Sequence, residues 1–326
     1  MTRRTVTNWA PALCVPVVAL LALAFMGLPT WVALTVAGVA TGAMLFLMAS
    51  GLTLVFGLMD VLNFAHAAFI TLGAYVAAGV FGSMGGAVAA ASWGSNLLAL
   101  GVAVAAAGVA GGVAGWVFEA AVVRRVYGSH LQQILITVGG LIVAEQLVLA
   151  VWGAQALPAP KPLLLRGSFV LGGAAVETYR VLVAALGFAV WGALALVLNR
   201  TRVGLLVRAG VESREMVEAL GFRIRRLFVG VFVGGTALAA VGGAMWAFYQ
   251  ELVTVAVGAN MTVLVFIVAI IGGLGSVSGC FVAAVLVGLV TNYVGFLLPA
   301  LSLGTAVAVM VAVLLWRPRG LFPVAG

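Results

Sequence analysis

The sequence predicts an all-α protein, a polytopic transmembrane helix bundle of about eight to ten spans with both termini in the cytoplasm. Composition is the first observation behind this. Of 326 residues, 65% are apolar and 7% charged, and the mean hydropathy is +1.28. A soluble domain carries about 25% charged residues. Sixteen basic and eight acidic side chains are too few to clothe a water-facing surface. The second observation is distribution: apolar residues fall in long runs, and the charges gather in the short segments between them. The same scarcity of charge excludes a disordered chain, and the 43 glycines follow no collagen-like period.

A crossing needs about 20 apolar residues. Runs at roughly 12–28, 31–57, 63–81, 95–118, 134–153, 179–198, 229–249, 261–275, 280–298 and 302–316 supply ten candidates. Several are short, and the stretch 50–80 leaves room for a broken helix. Together they make one membrane domain over residues 1–326. The longest polar stretch, about 199–228, is too small to build a separate core. Arg3 and Arg4 precede the first run as in a signal peptide, but no small-x-small cleavage site follows at Met26–Thr30. The first run is therefore expected to stay as a span.

Net charge +8 suggests nucleic acid until the charges are placed. With the N-terminus inside, segments 1–11, 58–62, 119–133, 199–228, 276–279 and 317–326 hold thirteen of the sixteen basic residues. Lys161, Arg166 and Arg180 are left outside. This is membrane orientation by positive-inside bias, with lipid as partner and no nucleic acid. An even number of crossings returns the C-terminus to the cytoplasm. The outside loop 154–178, with Pro158, Pro160, Pro162 and Gly172-Gly173, reads as irregular. Cys14 and Cys280 lie in or beside apolar runs, which argues against a disulfide. Glycine pairs at four-residue spacing, Gly108/Gly112, Gly111/Gly115, Gly38/Gly42 and Gly230/Gly234, mark tight internal packing or a subunit seam.

Enzyme chemistry finds little support. Asp60 is the single aspartate, and His66 and His130 are the two histidines. HExxH, CxxC and Gly-x-Ser-x-Gly elements are absent, and three or four convergent metal ligands are not available. A P-loop needs a lysine followed by Ser or Thr, whereas the one lysine, Lys161, is followed by Pro162. No cofactor is expected in this chain. Polar groups inside apolar runs are the candidates for a translocation path: Asn63, His66, Thr71, Glu145 and Asn292. Each has a structural alternative, namely a hydrogen bond between helices or to an opened backbone. A charge at the centre of a span costs about 2.5–3.5 kcal/mol, so Glu145 should face the bundle interior.

The segment 199–228 is the most informative. Residues 212–220 predict a short helix, stopped by a left-handed Gly221. Met216, Val217 and Leu220 form one apolar stripe, with Glu212, Arg214, Glu215 and Glu218 around it and Ala219 beside it. Two turns are marginal alone in water. The helix either seats its stripe in a partner's groove or lies on lipid headgroups.

Three stretches carry a resemblance. They are Gly51–Tyr75 (GLTLVFGLMDVLNFAHAAFITLGAY), the segment ending Glu-Ala-Leu-Gly221 with its arginine-rich continuation, and Gly272–Gly279 (GGLGSVSG) with Trp316–Phe322 (WRPRGLF). In this order, over about 40–322, the chain resembles the branched-chain amino acid permeases of bacterial ABC importers, closer to the LivH-like than to the LivM-like half. Ala67-Ala68 departs from the Gly-Glu more frequent in LivH-like chains. The resemblance implies a permease subunit of the inner membrane, paired with a homologous permease as a heterodimer. Two ABC ATPases would hold the ATP and magnesium, and a periplasmic binding protein would deliver substrate. It places an ATPase-coupling helix on 212–221. Branched-chain or related amino acids are the implied cargo, with urea or short amides as the alternative within the same group. A stand-alone ion-coupled secondary transporter is the alternative mechanism.

Overall fold

The computed structural model describes residues 10–322 apart from Asp60, Leu62, Tyr127, Gly128, Ser213 and Phe222. At Ala10, Leu58, Arg208, Val211, Glu212, Arg214 and Glu215 it describes the backbone alone. Hydrocarbon offers a backbone no hydrogen-bond partner, so each apolar run satisfies its own amides as a helix. In chain order these are α1 (Cys14–Leu23), α2 (Leu28–Met59), α3 (His66–Ser83), the single turn α4 (Gly85–Ala89), α5 (Trp93–Ala121) and α6 (His130–Trp152). Three short strands follow, β1 (Leu157–Pro158), β2 (Ser168–Leu171) and β3 (Ala174–Glu177). Then come α7 (Thr178–Arg200), α8 (Arg202–Glu212), α9 (Arg214–Ala219), α10 (Ile224–Gln250), β4 (Leu252–Val253), α11 (Val257–Gly272), α12 (Val277–Leu297) and α13 (Ser302–Trp316).

Among the described residues, eight helices are long and apolar enough to cross a membrane. The shorter apolar segments Pro11–Leu23 and Val257–Gly272 bring the count to the ten expected. Boundaries differ in three places. The first run yields a helix of only 10 residues, too short to cross alone; the Trp31 indole pins it to α2 by donating to the Ala19 carbonyl at 2.6 Å. Helix α2 extends to 32 residues. Helix α3 starts at His66 rather than at 63, so the break expected within 50–80 falls between Met59 and His66.

Helices α2, α3, α10 and α12 form the centre, and glycines set how closely they approach. A Cβ on Gly38 would stand 2.8 Å from the Leu289 Cα, and one on Gly42 2.7 Å from the Val285 Cα. Helices α2 and α12 are therefore in backbone contact, which is how helices gain attraction where lipid supplies no hydrophobic drive. Gly51 meets Gly235, Gly73 meets Ala240 and Gly243 meets Ile70 in the same way, locking α10 to α2 and α3. The other predicted pairs divide. Gly111 and Gly115 press on Ala240 and Thr236 of α10. Gly108 and Gly112 face α10 more loosely, a Cβ standing 3.2 Å from Val241 Cγ2 and 3.5 Å from Val233 Cγ1, and they line an open apolar groove of about 520 Å³ with Val109, Val113, Val233 and Ala237. A Cβ on Gly230 or Gly234 would meet nothing within 4 Å among the described residues, so neither is a packing site there.

The loop 154–178 is more ordered than its prolines and glycines suggest. Strands β2 and β3 form a hairpin, Ser168 opposite Glu177, turned by Gly172 and Gly173 at φ 58° and 82°. Two consecutive left-handed positions match the twist of a hairpin and favour glycine. Strand β1 pairs with β4, Leu157 opposite Val253, so the loop is tied to the connection between α10 and α11.

Candidate functional site

The segment 199–228 folds as two helices, α8 and α9, where one was predicted; Arg202–Glu212 is helical as well. Gly221 ends the segment at φ 83°, the left-handed stop expected of it. The side chains of Glu212, Arg214 and Glu215 lie outside the described residues. Met216 and Leu220 are 66% and 70% exposed, whereas Val217 is 3% exposed. The predicted stripe therefore splits. Met216 and Leu220 are four apart and project together, while Val217 points about 100° away, into the interior on the side where α9 packs on α8 and α10. Glu218, Ala219 and Gly221 are exposed beside the pair. Next to them a cavity of about 620 Å³ is lined by Glu218, Gly221, Arg223, Ile224, Arg225 and Arg226. The outcome is an outward apolar pair on a short helix, rimmed by arginines and anchored inward by Val217.

The polar groups at the helix break are sealed inside the chain. Asn63 lies before α3 rather than in it, so it does not share a helix face with His66; its carbonyl accepts the His66 N–H at 3.2 Å. His66 is 2% exposed, and its Nε2–H donates to the Met48 carbonyl at 2.7 Å. A carbonyl can only accept, which leaves Nδ1 as an acceptor; it has no partner among the described residues, nor does the Asn63 amide. Thr71 accepts the N–H of Gly258 at 3.0 Å. It thereby satisfies one of the free amides at the start of α11, as an N-cap does.

The remaining path candidates separate. The Asn292 amide donates to the Gly288 carbonyl at 2.8 Å and to Thr41 Oγ1 at 3.4 Å, stitching α12 to α2. Glu145 is half-buried on α6, a helix whose Leu135, Val143, Leu147 and Val151 are all exposed. It sits on the flank of a peripheral helix and not in the bundle interior as expected. The cause is the packing of α6, which meets the bundle through Gln133, Thr137 and Val148.

Several structural residues escaped the sequence reading. Lys161 Nζ is 2.5 Å from Glu177 Oε1 and 3.3 Å from Glu251 Oε1, with the Tyr179 and Tyr249 rings each 5.7 Å away. Arg180 Nε bonds the other Glu177 oxygen at 3.1 Å. Buried Asn96 donates to Ala87 and Ala90 and accepts from Leu164 N, joining α4 and α5 to the same loop. Nothing in the spacing of Lys161, Glu177 and Glu251 announces their meeting. At the opposite end, Gly273, Gly275 and Gly320 take positive φ, and Leu321 N and Phe322 N bond the Ile271 and Gly272 carbonyls. This is the close-packed turn expected of the glycine-rich Gly272–Gly279 stretch.

Comparison with known proteins accords with this geometry. The family model described as "Branched-chain amino acid transport system / permease component" matches residues 34–315. The high-affinity branched-chain amino acid transport system permease protein BraD of Pseudomonas aeruginosa is 26% identical over 290 residues, covering 87% of this chain and 93% of that one. LivH of Escherichia coli, of the same description, is 26% identical over 263 residues, 77% of this chain and 82% of its own. A probable LivH permease of Methanocaldococcus jannaschii is 29% identical over 157 residues, 45% and 47% of the two chains. No solved structure matches. With the family model covering most of the bundle, and with eight helices able to cross a membrane, this multi-pass membrane protein belongs to the family of branched-chain amino acid transport permease components.

Proposed function

We propose that the chain is one permease subunit of an ABC importer for branched-chain or related amino acids, set in the bacterial cytoplasmic membrane with both termini inside. A homologous permease stands beside it. Two ATPases bind the 199–228 side and carry the ATP and magnesium, and an external binding protein delivers substrate at the opposite face. The chain makes and breaks no covalent bond in its cargo.

One observation supports this reading above the others: Met216 on α9 and Leu220 just past its end are exposed together, with Val217 buried behind them. Two large apolar side chains held outward on a two-turn helix gain stability by entering a partner's groove. Val217 then transmits movement of α9 to α10. Ile224 and Phe228, buried at the start of α10, stiffen that connection. The ATPase moves the short helix, and the helix moves the bundle.

The test is purification from membranes in mild detergent with its stoichiometric companions, alongside Leu220→Asp. A carboxylate in an apolar groove must be desolvated without a partner. The variant should insert normally yet lose bound ATPase or hydrolyse ATP without uptake. Normal ATP-driven uptake by Leu220→Asp would remove α9 from the mechanism.

A further inference from the structure

Polar side chains in and beside the apolar helices divide here into two groups. Asn63, His66 and Thr71 are sealed inside the chain. Glu145 is half-buried, and Gln146 and Asn260 are exposed. The side chains of the last three make neither a hydrogen bond nor an ion pair among the described residues. The outward faces of α1, α7 and α13 between their ends carry apolar residues, as acyl chains require. Helix α6 breaks that pattern: Gln132, Gly139 and Gln146 are all exposed. At seven-residue spacing they drift only about 20° per step and stay on one face.

Helices α6 and α11 share two landmarks. The Phe64 N–H donates to Thr137 Oγ1 of α6 at 3.3 Å, and the Phe64 ring stacks on Phe266 of α11 with centroids 5.0 Å apart. Away from Phe64, the chain after α6 enters β1 and the chain before α11 leaves β4, and these strands are paired. From the Phe64 level, Gln146 is nine residues up α6, about 14 Å, and Asn260 is six residues up α11, about 9 Å. The exposed amides and the Glu145 carboxyl thus lie within about one helical turn of the same height. They stand on two helices tied together at Phe64 and, beyond their other ends, by the β1–β4 pair.

An amide has two donors and a carbonyl acceptor, and hydrocarbon satisfies none of them. We infer that the outward faces of α6 and α11 form one wall of the translocation path, with Glu145, Gln146 and Asn260 as its polar lining. The second permease closes the path opposite. The inference rests on the two-permease reading. The ligand chemistry follows from the groups: Glu145 matches an ammonium, and the Gln146 and Asn260 amides match a carboxylate, the two ends of a zwitterionic amino acid.

The experiment uses the assembled complex in nanodiscs, with Cys14 and Cys280 replaced by serine. Gln146→Cys and Asn260→Cys are introduced singly and treated with a membrane-impermeant methanethiosulfonate. Val307→Cys, 44% exposed midway along the span that holds α13, reports the lipid face. Only the thiolate reacts, and it forms in water and not in hydrocarbon. Labelling at 146 and 260 at least about tenfold faster than at 307, slowed by leucine supplied with the binding protein, is the expected result. Labelling as slow as at 307 in an uptake-competent complex would overturn the wall. Mass analysis of the same sample reports the second permease separately. Its presence with slow labelling sinks the wall and spares the two-permease reading. Its absence with fast labelling sinks that reading and keeps the wall.

Discussion

The ion cluster at the 154–178 loop admits a quantitative test. Lys161→Met keeps the length of the side chain and removes its three donors. The Lys161 side chain is 10% exposed, Glu177 22% and Glu251 47%. Removing one partner of a buried pair costs about 3–5 kcal/mol, because the other charge is left stranded. Here Glu177 keeps Arg180 at 3.1 Å and Glu251 reaches water, which softens the loss. The two tyrosine faces add about 0.5–1 kcal/mol of cation–π attraction. The expected destabilisation is about 2–4 kcal/mol. Glu177→Gln should fall in the lower half of that range, and Glu251→Gln below about 1 kcal/mol, as for an exposed pair. SDS titration in mixed micelles, followed by the fluorescence of the eight tryptophans, measures all three. Amide exchange at Ala159, whose N–H bonds the Glu251 carbonyl at 3.0 Å, should quicken in Lys161→Met. A loss below about 1 kcal/mol for Lys161→Met would refute the reasoning, as would Glu251→Gln costing as much as Glu177→Gln.

Three further substitutions probe separate joints. Gly42→Val places a side chain against the Val285 backbone, 2.7 Å from its Cα, and should abolish the folded state in the same titration. Gly230→Ala meets nothing within 4 Å and should stabilise by about 0.5–1 kcal/mol through helix propensity. Thr71→Val removes the acceptor for Gly258 N–H and should cost about 1 kcal/mol, as losing a cap does. Faster amide exchange confined to the first turn of α11 would identify the cause, and unchanged exchange at Gly258 would contradict it.

Much of this architecture was legible because hydrocarbon imposes one solution on the backbone. The ten apolar runs became ten helices, and Gly221 stopped its helix with the predicted conformation. What was not legible depends on how elements rotate and meet. Val217 is buried while Met216 and Leu220 are exposed because packing on α8 and α10 fixes the roll of α9, which spacing alone leaves open. Glu145 was placed in the interior from its cost in a membrane. The structure puts it on the flank of α6, since Thr137 and Gln133 turn inward instead. His66 has its partner in the Met48 backbone, eighteen residues earlier, and no side-chain motif encodes a carbonyl. Lys161 was visible only as the single lysine. Its carboxylate partners arrive from two other segments brought together by β1–β4 and the β2–β3 hairpin.

The distribution of close contacts also bears on how force would travel. Helix α10 meets α2 at Gly51 and Gly235, α3 at Gly73 and Gly243, and α5 at Gly111 and Gly115, in each case against backbone or the first atoms of a small side chain. Such contacts have no slack: an interior packed at crystal density moves as a block. On the proposed coupling role of α9, a displacement passed to α10 would therefore reach α2, α3 and α5 together. Helix α6 has no comparable glycine seam with α10. It is held through Thr137 at Phe64, through Gly140 at Phe118 and through the Tyr75–Trp152 ring pair. These joints depend on side chains, which change rotamer more readily than backbones separate. The polar wall proposed on α6 thus lies on a helix held by side-chain joints and not by the glycine seams of α10. A path wall placed there can change its opening without unzipping any of the glycine seams on which the fold depends.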